Sequence, residues 1–277
     1  MVYNCKIISY ANNKQQIRFY SNSIHRDDRI TELIQQKREI TKQVRKERGD
    51  ENDSDFSIYV SMQRTVNAIF NITRSNNWDL FCNFTFDKKR VNRYDYDMCM
   101  DCAKEYFKMI KKYYNKDFKY IIVPEKHKDG AWHIHGLCAN IENVPLKWGG
   151  KVDNNDRKVY NMVSYIYGFT ECTFLTDNFA ACCYMTKYVT KNMCYETMYR
   201  NRYFTSRNVH IAKEKEFRIS TDRLEKVLSK MDNILYAKTV ESGDENYTIF
   251  IETENNEHIF DDFIDSDMEY EDLTDEE

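Results

Sequence analysis

Residues 119–141 read KYIIVPEKHKDGAWHIHGLCANI, two strand-like segments on either side of Lys128-Asp129-Gly130. The segments are rich in β-branched and aromatic residues and the junction contains a glycine, so the pattern predicts a β-hairpin. Residues two apart in a strand point to the same face, so the imidazoles of His133 and His135 converge on one spot. This hairpin predicts both the sheet and a candidate site.

The register of the hairpin depends on the length of its turn. A two-residue turn would put Glu125 on the face opposite His133, whereas a three-residue turn ending in a left-handed Gly130 pairs Glu125 with His133. Turn chemistry favours the second, with Glu125, His133 and His135 on one face. Such a set can hold a divalent metal with positions open for substrate; the alternative is two hydrogen-bonded histidines on a polar face. His127 shares this face and is interpreted as structural.

The surrounding sequence alternates between strand and helix patterns. Around the hairpin we expect strands at 78–86 and 171–175, a helix at 95–114, a loop at 144–160, and a helix from 176 or 177 to about 195. This order predicts an α+β fold with an antiparallel sheet flanked by helices. Outside it we expect a hairpin within 3–20, helices at 27–50, 59–74 and 221–231, a charged linker at 48–55, and a strand at 246–251.

Charge is unevenly distributed along the 277 residues, although the whole chain carries only −4. From Glu241 to Glu277 there are 16 acidic residues and no Lys or Arg, so residues 1–240 carry 41 basic against 29 acidic residues, a net charge of +12. A basic body indicates a polyanionic partner. We expect an accessory part at 1–56, a main domain at 57–212, a C-terminal helix within 213–240, and an acidic tail at 241–277 that is disordered in part.

Several protein classes are excluded by composition. No run of about 18 apolar residues occurs, so no membrane span is expected. The nine cysteines lack the spacing of a secreted disulfide framework, which indicates reduced thiols in a cytosol. Cys99 and Cys102 form a lone C-x-x-C, interpreted as two thiols on a core helix rather than as half of a zinc site.

A second motif follows about 50 residues after the histidines. Tyr184, Lys187, Tyr188 and Lys191 are spaced i, i+3, i+4 and i+7, so on one continuous helix they would share a face. One interpretation is an amphipathic helix with tyrosines at the edge of the core. The other is a nucleophilic face on which the ammonium groups favour the phenolate.

Together, the two motifs resemble the HUH endonuclease superfamily, and more narrowly the rolling-circle replication initiators of single-stranded DNA phages and related plasmids. The resemblance covers roughly residues 57–210. Residues 81–86 resemble the first motif of that family but depart from it at Asn83, which we therefore leave out of the catalytic set. The resemblance implies a ferredoxin-like or RRM-like antiparallel sheet, with the histidine strand in the middle and the tyrosine helix against it.

The resemblance also implies a mechanism. Glu125, His133 and His135 would hold Mg²⁺ or Mn²⁺. Tyr184 or Tyr188 would attack the scissile phosphate, giving a 5′-phosphotyrosine link and a free 3′-hydroxyl. Lys187 and Lys191 would stabilise the charge of the phosphate or the phenolate.

The expected partner is single-stranded or hairpin origin DNA in the cytoplasm of a bacterial host. Since the chain lacks the P-loop pattern G-x4-G-K-[S/T], no nucleotide cofactor is expected, and a helicase and a polymerase would come from the host. Competing interpretations are a transposase or relaxase of the same superfamily, and a metal hydrolase or oxygenase with two histidines and one carboxylate. A protein with a decayed site that only binds is a further alternative.

Overall fold

The computed structural model describes residues 2–11, 13–25, 52–241 and 246–254. Two compact units divide the chain: residues 54–210 form one, and the described residues before and after that range form the other. The helix predicted at 27–50 lies outside the described residues. The predicted four-part domain division stays a prediction.

Strands predominate within the described residues. The helices are α1 (Asn52–Arg74), α2 (Tyr96–Tyr113), α3 (Asn178–Thr186), α4 (Lys191–Glu196) and α5 (Thr221–Lys230). None of these helices combines the length and the apolar character needed to cross a membrane. The strands are β1 (Val2–Ser9), β2 (Lys14–His25), β3 (Leu80–Phe86), β4 (Lys119–Lys126), β5 (Trp132–Ala139), β6 (Leu146–Val152), β7 (Lys158–Met162), β8 (Gly168–Phe174), β9 (Phe204–Thr205), β10 (Lys213–Phe217), β11 (Ile234–Glu241) and β12 (Tyr247–Glu254).

The larger unit is built on a seven-stranded antiparallel sheet in the order β6-β7-β8-β3-β5-β4-β9. Strand β5 lies between β3 and β4, and all eight of its residues are buried because both faces of the sheet are covered. The α+β prediction, with an antiparallel sheet flanked by helices and the histidine strand in its interior, is confirmed. The architecture is compatible with an RRM-like HUH fold.

Two apolar layers cover the two faces of this sheet. On one face, α2 packs its buried stripe, including Met100, Phe107 and Ile110, against Phe84 of β3. On the other, residues of α1 and α3 such as Ile69 and Met185 pack against β4 and β5. Since side chains alternate along a strand, the second face is also the one that carries His133 and His135.

The loop predicted at 144–160 is wrong, because β6 and β7 form a hairpin there with Leu146 paired to Met162. Six of the seven residues of β6 are exposed, so this edge strand has no alternation of apolar and polar residues for a sequence to show. The predicted linker at 48–55 is wrong over its last four residues, which belong to α1. The predicted helix at 95–114 and the N-terminal hairpin are confirmed.

The second unit is a five-stranded antiparallel sheet in the order β10-β1-β2-β12-β11. Its core joins Ile17 and Ile251 from the sheet to Leu224 and Val227 from α5. Strands β10 and β11 were not predicted. Strand β12 pairs with β2 through Ile251 and Ile17, so residues more than 230 positions apart in the chain complete one sheet.

A glycine marks the closest backbone approach at the β3–β8 pairing. A Cβ atom at Gly168 would overlap the carbonyl oxygen of Thr85 and lie 2.8 Å from the amide nitrogen of Asp87. Neither backbone atom can move without displacing β3. The position therefore requires glycine for space.

We expect Gly168→Ala to lower the free energy of unfolding by on the order of 3 kcal/mol, because the added methyl group separates two central strands. Val163→Ala, which truncates a side chain that is 61% exposed in the loop before β8, serves as the control and should change stability by less than about 0.5 kcal/mol. Urea denaturation followed by circular dichroism measures both. Equal midpoints for the two variants would contradict the steric account.

Candidate active site

The β4–β5 hairpin brings the candidate ligands together through its register. Glu125 pairs with His133, and the amide of His127 donates to the carbonyl of Ala131 at 2.8 Å, which closes a three-residue turn. Gly130 in that turn has φ +86°, the left-handed conformation that glycine adopts without strain. The predicted three-residue turn and its register are confirmed.

The three predicted metal ligands form one tight group. Nε2 of His135 lies 2.7 Å and Nε2 of His133 lies 3.1 Å from Oε2 of Glu125, and the two Nε2 atoms are 2.8 Å apart. Both histidines are buried, whereas the side chain of Glu125 remains partly exposed. Within the part of the chain that the structure describes, this is the one group of three His, Cys, Asp or Glu residues able to hold a metal.

Asn83 on the neighbouring strand orients one of these ligands. Its Oδ1 lies 2.6 Å from Nδ1 of His135, so this amide oxygen accepts the Nδ1 proton. The neutral imidazole then presents only a lone pair at Nε2. Leaving Asn83 out of the site was therefore an omission. Its cross-strand pairing with His135 would have revealed it, but that pairing depends on a strand order that the sequence does not show.

The protonation states suit a cation. Burial lowers the pKa of His133 to about 3 and also lowers the pKa of His135, so both rings are neutral at pH 7. The hydrogen bond with His135 holds the pKa of Glu125 below its ordinary value, so this side chain is a carboxylate. With the His135 proton at Nδ1, its Nε2 and the Glu125 oxygen are two lone pairs facing each other at 2.7 Å. A divalent cation between them would satisfy both, so the residues fit a metal.

His127 extends the group to a third imidazole. Its Nε2 lies 3.1 Å from Nε2 of His133, and the two rings meet edge to face. It stands two residues after Glu125 in the chain and shares its face, as the register predicted. The structure thus places it in contact with a candidate ligand.

The predicted tyrosine helix is not continuous. Helix α3 ends at Thr186, Lys187 and Tyr188 lie in a turn, and α4 begins only at Lys191. Thr190 takes an extended conformation and its side chain accepts the amide of Met193, which starts a new helix. The prediction of one helix through both tyrosines is therefore wrong. A side-chain cap in mid-segment competes with helix continuation.

The break brings the tyrosines together with the histidines in a different way. The ring of Tyr188 stacks on that of His135, with centroids 3.4 Å apart and planes 12° apart. Tyr184 lies edge-on to Tyr188 at 5.4 Å, and the ammonium of Lys187 sits 4.9 Å from the Tyr184 ring centroid. Lys191 is exposed at the start of α4, and no described contact joins it to this group.

The two phenols have different surroundings. Tyr184 is 43% exposed. Burial first, and then the hydrogen bond with Tyr184 and the nearby charge of Glu125, raise the pKa of Tyr188 above its ordinary value. The site therefore offers one accessible phenol and one protonated phenol that covers a candidate ligand.

The C-x-x-C pair lies elsewhere. Cys99 is buried and Cys102 is half-buried on α2, whose stripe packs on the opposite face of the sheet. Burial raises the pKa of Cys99 to about 12, so it is a thiol and not a thiolate ligand. The interpretation of both residues as thiols on a core helix is confirmed.

We expect the chain to bind one Mn²⁺ and His133→Ala to weaken that binding at least about 100-fold, because a ligand is lost. Asn83→Ala should weaken it about 10-fold, because the ring of His135 is no longer oriented. Lys128→Ala in the exposed turn should bind as the wild type does. Isothermal titration calorimetry measures all three, and unchanged affinity in His133→Ala would rule out this centre.

The low pKa of His133 predicts a pH dependence of stability. The unfolded chain protonates this residue near pH 6.5 and the folded chain only near pH 3, so the unfolded state binds more protons between these values. Stability is thus lost as the pH falls through this window. In EDTA, the wild type should lose about 1–2 kcal/mol more than His133→Asn between pH 7 and pH 5. Urea denaturation at both pH values tests this, with exposed His210→Asn as control; equal losses would contradict it.

Comparison with known proteins concerns the same segment. Residues 79–193 match a family model described as replication-associated protein, of the ORF2 type. No curated protein and no solved structure matches the chain. The matched residues run from the start of β3 into α4 and so contain the three candidate ligands and both tyrosines. Through this segment the chain is a member of the ORF2-type replication-associated protein family, as its resemblance to rolling-circle initiators predicted.

Proposed function

We propose that this protein initiates rolling-circle replication by nicking and rejoining single-stranded origin DNA through a phosphotyrosine intermediate. The observation that carries the proposal is the position of Tyr188, stacked on the candidate ligand His135 with Tyr184 beside it. A pair of phenols next to a cation centre suits phosphoryl transfer to tyrosine, and a hydrolase that activates water has no need of them. The family match supports a role in replication.

Glu125, His133 and His135 would hold the cation, with Mg²⁺ or Mn²⁺ as the family resemblance implies. When bound, the cation supplies positive charge to the scissile phosphate and so stabilises its transition state. Asn83 keeps the Nε2 lone pair of His135 directed into the centre. The burial of both histidines keeps them neutral and available as ligands.

The tyrosines would carry the covalent step. A phenolic oxygen of Tyr184 or Tyr188 forms a bond to phosphorus while the bond from phosphorus to the 3′-oxygen breaks. The phenol loses its proton and the departing 3′-oxygen gains one. One phosphodiester is exchanged for another, so rejoining is the same reaction reversed and needs no nucleotide hydrolysis.

The lysines would assist this exchange. Lys187 already sits over the ring of Tyr184, where its charge favours the phenolate of the exposed tyrosine. Lys191 would approach the phosphate from the exposed start of α4. We assign it this role from the family motif alone.

The partners follow from the same proposal. The net charge of +12 on residues 1–240 would attract the DNA backbone, while a host helicase would open the duplex and a host polymerase would extend the free 3′-hydroxyl. The protein would act in the cytoplasm of the host cell that carries its DNA.

The test uses end-labelled single-stranded oligonucleotides tiled across the encoding replicon, with Mn²⁺ or with EDTA. We expect a protein–DNA adduct that survives denaturing electrophoresis, forms only with Mn²⁺, and falls below about one per cent of wild type when Tyr184→Phe and Tyr188→Phe are combined. The single variants should each retain part of the adduct. Tyr113→Phe, an exposed tyrosine on α2, serves as the matched control.

Two outcomes would contradict the proposal. Cleavage without an adduct would identify a metal-dependent hydrolase in which water is the nucleophile and the tyrosines are structural. Mn²⁺ binding by a chain that neither cuts nor links to any of the tiled oligonucleotides would exclude nicking of single-stranded origin DNA.

A further inference from the structure

A cavity of about 530 Å³ opens beside the tyrosines, between the sheet, the start of α3 and the β6–β7 turn. We propose that it binds one unstacked base of the single-stranded DNA next to the scissile phosphate, an inference that rests on the proposed function. Its volume lies within the range of about 300–1,000 Å³ typical of small-ligand sites. Sequence-specific recognition of single strands commonly uses splayed bases of this kind.

The cavity is continuous with the candidate active site. Phe81, Asn83 and Tyr184 line it, and each also contacts the catalytic group. Asn83 holds His135, while the ring of Phe81 lies 6.1 Å from His135 and 5.2 Å from Tyr184, centroid to centroid. A phosphate at the tyrosines therefore leaves its neighbouring nucleotide at the mouth of the cavity.

The charges of the cavity favour a neutral base over a phosphate. Three carboxylates lie in its wall, and each is already engaged. Asp153 pairs with Arg157 at 2.7 Å and Glu171 pairs with Lys151. Asp177 caps α3 by accepting the amides of residues 179 and 180. With no unengaged cation in this set, the wall does not attract a phosphate, and the nucleotide would enter base first.

The lining offers both stacking surfaces and hydrogen-bonding groups. The rings of Phe81 and Tyr184 present aromatic walls, against which a base stacks favourably. Asn154 and Asn155 line the opposite side with exposed side chains, each an amide with both donors and acceptors. Such an amide can pair with the edge of a base, which makes these two residues candidates for base selection.

The turn that carries these amides is held in place before any DNA arrives. The Oδ1 atom of Asp153 accepts the amides of Asn155 and Arg157, both at 2.9 Å. The backbone amide of Asp153 also donates to the carbonyl of Arg157 at 2.9 Å. Preorganisation of this kind reduces the entropy lost on binding and sharpens selectivity.

The test is a binding selection in EDTA, so that no cleavage is needed. The full-length protein captures members of a randomised 30-nucleotide single-stranded library, and the bound pool is sequenced. We expect the wild type to prefer one base at one position. Ala180→Leu, which fills the cavity from an exposed position on α3, should abolish that preference, and Asn155→Ala should reduce it. Asn67→Ala, exposed on α1 and outside the cavity, is the matched control.

A second measurement uses fluorescence anisotropy with the selected oligonucleotide and a copy that is abasic at that position. The wild type should lose about tenfold in affinity, the typical effect of one stacked base. Ala180→Leu should bind both copies equally, because the base has no site to occupy. This comparison separates the cavity from a general loss of folding or charge.

The inference is overturned if the wild-type pool shows no positional preference, or if Ala180→Leu keeps the wild-type preference. Its failure is distinguishable from that of the proposed function. A protein that forms the Mn²⁺-dependent adduct with unchanged preference in Ala180→Leu loses only the base site. A protein that selects the base but forms no adduct loses only the nicking function.

Discussion

The register of the β4–β5 hairpin is the constraint on which the site depends. Side chains alternate along a strand, so a slip of one residue would send Glu125 to the face covered by α2 and leave the histidines without a carboxylate. A left-handed residue in a three-residue turn fixes that register, and Gly130 supplies it at φ +86°. Backbone geometry at one glycine, roughly 15 Å of chain away, thus decides whether three metal-binding atoms meet.

The position of β5 in the sheet gives this group its chemistry. Both faces of the strand are covered, so His133 and His135 lose most of their hydration, and burial keeps both rings neutral. Burial of polar groups is unfavourable unless they find partners. His135 has Asn83 and Glu125, whereas Nδ1 of His133 is buried with no hydrogen-bond partner in the described structure. The group is therefore stable only as far as packing around it compensates, which is typical of a site kept for function.

The sequence predicted those features whose cause is local. The hairpin register follows from period-two alternation and from one turn, and α2 follows from an apolar stripe with an Asp95 cap. The errors share a different cause. Strand β6 is an exposed edge, so it lacks a hydrophobic pattern, while the contact of Asn83 with His135 and the pairing of β12 with β2 depend on strand order. Strand order is set by packing across the whole domain, and short-range patterns carry little information about it.

The break after Thr186 separates two tyrosines that helical spacing would have made equivalent. On a continuous helix, Tyr184 and Tyr188 would point the same way about one turn apart, equally exposed. Because the chain leaves the helix between them, the ring of Tyr188 can instead lie flat on His135, while Tyr184 stays on α3 beside the cavity and under Lys187. Spacing alone therefore identifies the pair but not the difference within it. That difference comes from Thr190, whose side chain satisfies a backbone amide and makes a second helix start favourable.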